Sequence, residues 1–135
     1  MQDRPDAGEL LRAIRAFIET DVAPHAEGRR RFHALVAANL CAVLERELAL
    51  GEDQLVAEWG RLAELFDRAG AEPPARTALL RDAVRVLTYD LSERIRAGEA
   101  DAEPFAGQVR RHLRATVVEK LRIANPRQLG DDVAS

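Results

Sequence analysis

From Leu10 to Leu121 the large apolar side chains of this chain recur every three or four positions, with Pro and Gly as punctuation. That spacing gathers apolar groups on one face of an α-helix. No short window combines strict alternation, Val/Ile/Thr enrichment and flanking turn signals, the combination a strand requires. The chain is therefore expected to be all-α, a compact bundle of four to five helices.

Five segments follow from the punctuation. The first spans about 6–22: Asp6 and Glu9 make a capping-box start, Leu10, Ile14, Phe17 and Ile18 share a face, and Pro24 limits its extension. The second starts at Glu27 or Arg29, runs to Leu50 and stops at Gly51, a natural residue for a helix end. Its Phe32, Leu35, Val36, Leu40, Val43, Leu44 and Leu48 cover more than half of the circumference, as in a helix at the centre of a bundle. The third, about 53–69 and closed by Gly70, carries Leu55, Trp59, Leu62 and Phe66 on one stripe. The fourth starts near Pro74 and runs to Gly98 behind Leu80, Val84, Leu87, Leu91 and Ile95. The fifth runs from Asp101 or Pro104 to the Asn125–Pro126 break, and its Phe105, Val109, Leu113, Val117 and Leu121 are spaced by four, so the stripe drifts round the helix. One helical domain is expected over 1–126, followed by a short polar tail, 127–135.

Composition narrows the function classes. A chain of 135 residues can bury one core. A net charge of −3 argues against a nucleic-acid partner, because such domains carry a strongly basic balance. Nineteen of the twenty basic residues are Arg, with Lys120 the exception, a bias expected of a GC-rich bacterial genome. Cys41 is the sole cysteine, which leaves no internal disulfide and no cysteine-based zinc cluster. No apolar run approaches the roughly 18–20 residues that span a bilayer. Asp3, Asp6 and Glu9 at the start leave no room for a secretory signal, so the cytoplasm is the expected location and no membrane partner is expected.

The chemistry-bearing residues are few. His25, His33 and His112 form no i,i+4 pair and no Glu-x-x-His motif, so neither a metal nor a cofactor is expected. No phosphate-binding glycine loop or nucleophile elbow occurs, and no catalytic residue is assigned. On the second segment His33 sits at the border of the apolar arc, either bonded to a neighbour or facing a cleft as a ligand contact. Asn39 falls inside that arc and is expected to be buried, as an inter-helix hydrogen bond or as the polar group of a pocket. Arg46 and Glu47 follow on the same side and read as bridges to a neighbouring helix, with Arg46 the other candidate ligand contact. On the fifth segment Arg111, Arg114 and Arg122 face away from Phe105 and Val109. They form either a solvated surface or a site for an anion or an acidic partner.

Three stretches carry a resemblance: Met1-Gln-Asp-Arg-Pro5 with Glu9-Leu-Leu11 and Phe17; Phe32-His33 with Val36-Ala37, Asn39 and Arg46-Glu47-Leu48; and His112-Leu-Arg-Ala-Thr116 with Lys120-Leu121 and Asn125-Pro126-Arg127. Together they resemble a small bacterial all-helical domain family of unknown function. Members of that family tend to be encoded beside, or fused to, aminoglycoside-phosphotransferase-type kinases and acyl-CoA dehydrogenases. The resemblance implies an accessory role and assigns no catalytic residue.

The expected function is accordingly a non-enzymatic accessory or interaction module. The alternative is a small-molecule-binding domain or enzyme with a cleft beside the second helix. Association as a homodimer, or with a helical partner, is expected through the Trp59–Phe66 stripe or the drifting Phe105–Leu121 stripe, since aromatic residues commonly anchor such contacts.

Overall fold

In a computed structural model, residues 4–130 are described, and they form four α-helices with no strand among them. Met1–Asp3, the start of the resembling N-terminal stretch, and residues 131–135 of the expected tail lie outside the described residues. Helix α1 spans Ala7–Phe17. Asp6 caps it as expected: the Asp6 carboxylate accepts from the Glu9 N–H at 2.8 Å and the Glu9 carboxylate accepts from the Asp6 N–H at 2.9 Å. A π-turn, Ile18–Val22, and a short 3-10 turn, Ala23–His25, then carry the chain past Pro24 into the next helix.

Helix α2 spans Gly28–Leu65, 38 residues, and merges the expected second and third segments into one element. Gly51 does not end a helix here. Glycine terminates helices by adopting positive φ, and Gly28, Gly70 and Gly98 do so while Gly51 does not. What ends α2 is a Schellman arrangement one turn before Gly70. Asp67 takes φ 56°, the Arg68 N–H donates to the Ala63 carbonyl at 2.8 Å, and the Asp67 N–H donates to Glu64 at 3.2 Å. Helices α3, Thr77–Arg96, and α4, Phe105–Ala124, follow, and Pro126–Gln128 adds one 3-10 turn to what was read as polar tail. Pro74 stands before α3 rather than inside it.

Helix α2 touches all three others and is the centre of the bundle. Its second half builds the core with α3 and α4: Trp59, Leu62, Leu65, Leu80, Val84, Leu87, Leu91 and Val109 are buried together. Of the α3 stripe read from the sequence, Leu80, Val84, Leu87 and Leu91 belong to this core, while Ile95 at its end is exposed. Arg94 locks the far end. Its guanidinium lies 5.2 Å from the Phe66 ring centre and 4.1 Å from that of Phe105, its Nη1 donates to the Leu65 carbonyl at 3.0 Å, and its Nε pairs with Glu99 at 2.6 Å. One cation thereby caps α2 and joins three elements.

The first half of α2 is covered differently. Helix α1 lies antiparallel along it, over the small buried residues Ala34 and Ala38, and Arg15 chelates Glu45 at 2.9 and 3.2 Å. The large side chains of that half are bare: Phe32 is 63% exposed, Leu40 56% and Leu48 59%. The expectation that this wide apolar arc is buried at the centre is therefore corrected. α2 is central, but in its first half α1 covers only the alanine side, and α3 and the bulk of α4 pack further along. The expected association faces are corrected as well. Trp59 is buried, Phe66 and Phe105 are half-buried against the core, and of the α4 stripe Leu113 and Val117 remain exposed.

Candidate functional site

Polar recesses flank the seam between α2 and α4. One lies between the last turns of α2 and the first half of α4, has a volume of about 380 Å³, and is lined by Arg61, Glu64, Gln108, Arg111 and His112, with Leu65 and Ala115. His112 is there because it falls in register with Phe105, Val109 and Thr116, the heptad-like rows that turn α4 toward α2. It is 4% exposed, and its Nδ1 has no hydrogen-bond partner among the described residues. Burial pushes the imidazole pKa down, the nearby positive charges of Arg61 and Lys120 push the same way, and the Glu119 carboxylate opposes them. His112 is thus a neutral imidazole near neutral pH.

Beside it Arg61 reaches across the seam from α2. Its two Nη groups donate to the two Glu119 oxygens at 2.8 and 2.5 Å, and Nη2 also approaches Thr116 Oγ1 at 3.5 Å. The third donor, Arg61 Nε, is buried without a partner. A buried N–H left unpaired costs about 1–3 kcal/mol, and two adjacent residues here each carry an orphaned nitrogen. Trp59 Nε1, the remaining orphan, is on a core residue.

The second recess is a groove of about 550 Å³ between the α1–α2 hairpin and the end of α4, lined by Arg15, Glu19, Asn39, Arg46 and residues 124–127, among others. It brings together two of the three candidate ligand contacts. Arg46 Nε donates to the Ile123 carbonyl at 2.6 Å, satisfying an end group of α4 where the helix dipole favours a cation. Asn39 is exposed and makes no side-chain hydrogen bond among the described residues, so the expected burial is corrected. At about 100° per residue it sits on the flank of α2 beside the alanines that α1 covers, facing the open groove toward the end of α4. His33 does not join this groove. It is exposed, takes a hydrogen bond from Arg29 Nε at 3.1 Å and stacks edge-on against Phe32 at 5.6 Å. Glu47 approaches Arg81 of α3 at 4.0 Å, so the Arg46–Glu47 pair does bridge to neighbouring helices, one to each.

Of the basic stripe on α4, Arg111 lines the rim of the α2–α4 cleft, Arg114 is exposed, and Arg122 is half-buried and engaged. No three His, Cys, Asp or Glu side chains converge among the described residues in a way that could hold a metal, and no helix there is long and apolar enough to cross a membrane. In the sequence His112 is one histidine without a motif. Its heptad relation to Phe105 and Val109 was the available signal, and the drifting four-residue stripe masked it.

Compared with known proteins, residues 24–128 match the model of a family described as "Domain of unknown function (DUF6285)". No curated protein and no solved structure matches the chain.

Proposed function

The chain belongs to the DUF6285 family of domains of unknown function, and we propose that within it this protein is a non-enzymatic association module that pairs with a second copy of itself. The observation that carries this reading is the bare ridge Phe32–Val36–Leu40–Leu44–Leu48 on α2, each residue at least 39% exposed. The flank of α1 bearing Leu10, Ile14 and Phe17, likewise exposed, continues it. The groove formed with the α4 end takes the opposite flank of α1, through Arg15 and Glu19. By helical geometry Leu44 and Leu48 are the ridge residues nearer to α1, while Leu40 points away from it.

A ridge spaced by four is the kind of surface that interdigitates with another like it, at a crossing angle of about −50°. Contiguous apolar patches of more than a few hundred Å² seldom face solvent on a monomer. Two copies crossed in this way pack α2 on α2 with Leu40, the middle of the ridge, near a two-fold axis. The resemblance supports a further role for the pair in the cytoplasm, as accessory to a phosphotransferase-like kinase or an acyl-CoA dehydrogenase.

Sedimentation velocity tests the pairing. The expected result is a dimer at micromolar concentration. Leu40→Glu, which sets two like charges against each other at the axis, should give a monomer with an unchanged helical circular dichroism spectrum. Val86→Glu, at an exposed apolar position on α3, should leave the dimer intact. A wild-type protein that stays monomeric at 100-fold higher concentration, or a dimer indifferent to Leu40→Glu and sensitive to Val86→Glu, removes this face from consideration.

A further inference from the structure

The cleft between the last turns of α2 and the first half of α4 has a chemistry of its own, separate from the apolar ridge. Two side chains that line it, Arg61 and His112, each keep a buried nitrogen without a partner. The other polar groups around it are of both signs. Arg111 supplies a cation, Glu64 a carboxylate and Gln108 an amide. Glu119 takes up the charge of Arg61, since both its oxygens are bonded to the two Nη groups. With His112 neutral, the lining carries a cation on α4, Arg111, whose charge also reaches Glu103 just ahead of that helix, and a carboxylate on α2, Glu64.

A simple anion fits this lining poorly, because Glu64 would repel it. A simple cation meets Arg111. The complementary ligand is one that carries a carboxylate for Arg111 and, a bond or two away, a hydrogen-bond donor for Glu64. A volume of about 380 Å³ falls within the range of small-molecule pockets. We propose that the α2–α4 cleft binds a small carboxylic acid with a donor group next to the carboxylate, an α-hydroxy acid or an α-amino acid. Arg111 holds the carboxylate, Glu64 and Gln108 take the neighbouring hydroxyl or ammonium group, and His112 forms the inner wall. The Arg61–Glu119 pair fixes the spacing of the two helices and is a positioning element rather than a contact.

The experiment follows the His112 imidazole resonances by two-dimensional NMR in the full-length protein, titrated separately with lactate, alanine, acetate and inorganic phosphate. Saturable shifts of the His112 signals with lactate or alanine, at concentrations at least tenfold below any response to acetate or phosphate, are the expected result. Whichever of the two binds more tightly identifies the donor as hydroxyl or ammonium. Arg111→Gln lies on the exposed rim and should preserve the helical spectrum while weakening binding at least tenfold; Glu64→Gln should lower the preference over acetate. Equal or tighter response to acetate or phosphate would overturn the carboxylate-plus-donor assignment. Absence of any saturable shift at millimolar ligand, or binding unaffected by Arg111→Gln, would overturn the site itself. The monomeric Leu40→Glu protein should bind as the wild type does, which keeps the outcome independent of the dimer.

Discussion

His112 is the residue at which burial and ionisation oppose each other most clearly. Its ring is almost wholly covered, its Nδ1 is unpaired, and desolvation together with the positive Arg61 and Lys120 outweighs the pull of Glu119. The folded pKa therefore lies below the ordinary value of 6.5. As pH falls the unfolded chain binds a proton before the native one does, so the native state loses ground. The stabilising contribution is complete above about 6.5 and declines as pH drops from there toward the folded pKa. Glu45 and Glu103, whose carboxyls are held below the usual range by hydrogen bonds from Arg15 and Arg110, titrate further down and do not blur that window. Thermal unfolding followed from pH 8 to pH 5.5 should show a melting temperature that falls with acidification. In His112→Gln, which keeps a polar side chain but cannot titrate, the slope should be shallower. A variant whose profile runs parallel to the wild type would mean that His112 is not the group responsible.

At the scale of the element, the informative discrepancy is Gly51. Reading it as a helix stop is reasonable, since glycine is the usual residue at such a stop, but a stop also needs positive φ and a chain with somewhere to turn. Tertiary packing overrides propensity here: α1 grips α2 before Gly51, and α3 and α4 grip it after, so the helix is held straight through. A glycine in a helix interior costs about 0.5–1 kcal/mol relative to alanine. A Cβ at Gly51 would meet only the tip of the Glu47 side chain, at 2.8 Å, and that carboxylate is exposed and can swing aside. Gly51→Ala should thus raise unfolding free energy by about 0.5–1 kcal/mol in urea titration, whereas Gly51→Pro should cost about 3 kcal/mol or more. A destabilising alanine would show that Glu47 is anchored to Arg81 more firmly than 4.0 Å implies. The same comparison explains what the sequence made legible. Apolar period placed the α3 stripe, the capping box of α1 and the ends of α4 with little error, because those are local properties. It could not say which part of a wide apolar arc is covered, because that depends on where α1, α3 and α4 lie along α2. Asn39 and Leu40 were placed inside a core for this reason, and both stand on the surface. His112 was hidden in the converse way, as a polar residue occupying an inward position of a stripe read from its apolar members.

At the scale of the whole molecule, α2 is about 57 Å long at a rise of about 1.5 Å per residue, and its two halves have unlike surroundings. The second half is enclosed by α3 and α4 around Leu62, and Arg94 pins its end. The first half rests mainly on α1 and the turns that follow it, over alanines, with Arg46 tied to the end of α4 and its largest side chains turned to solvent. A two-helix contact across small residues buries little apolar area, and hydrophobic stabilisation scales with that area. Local stability should therefore be graded along a single helix, with the weaker half being the one that a second copy would cover. Association then couples to folding by mass action. If the native dimer unfolds to separate chains, a hundredfold rise in protein concentration adds about 2.7 kcal/mol per dimer. The melting temperature of the wild type should rise measurably over that range, while that of Leu40→Glu should not move. Hydrogen exchange would show where the gain resides: amides of residues 30–48 should gain protection with concentration in the wild type, and those of residues 59–65 should stay protected in both proteins. If protection at 30–48 is instead as strong in Leu40→Glu as in the wild type, the hairpin is held by its own contacts, and the bare ridge serves something other than a second copy of the chain.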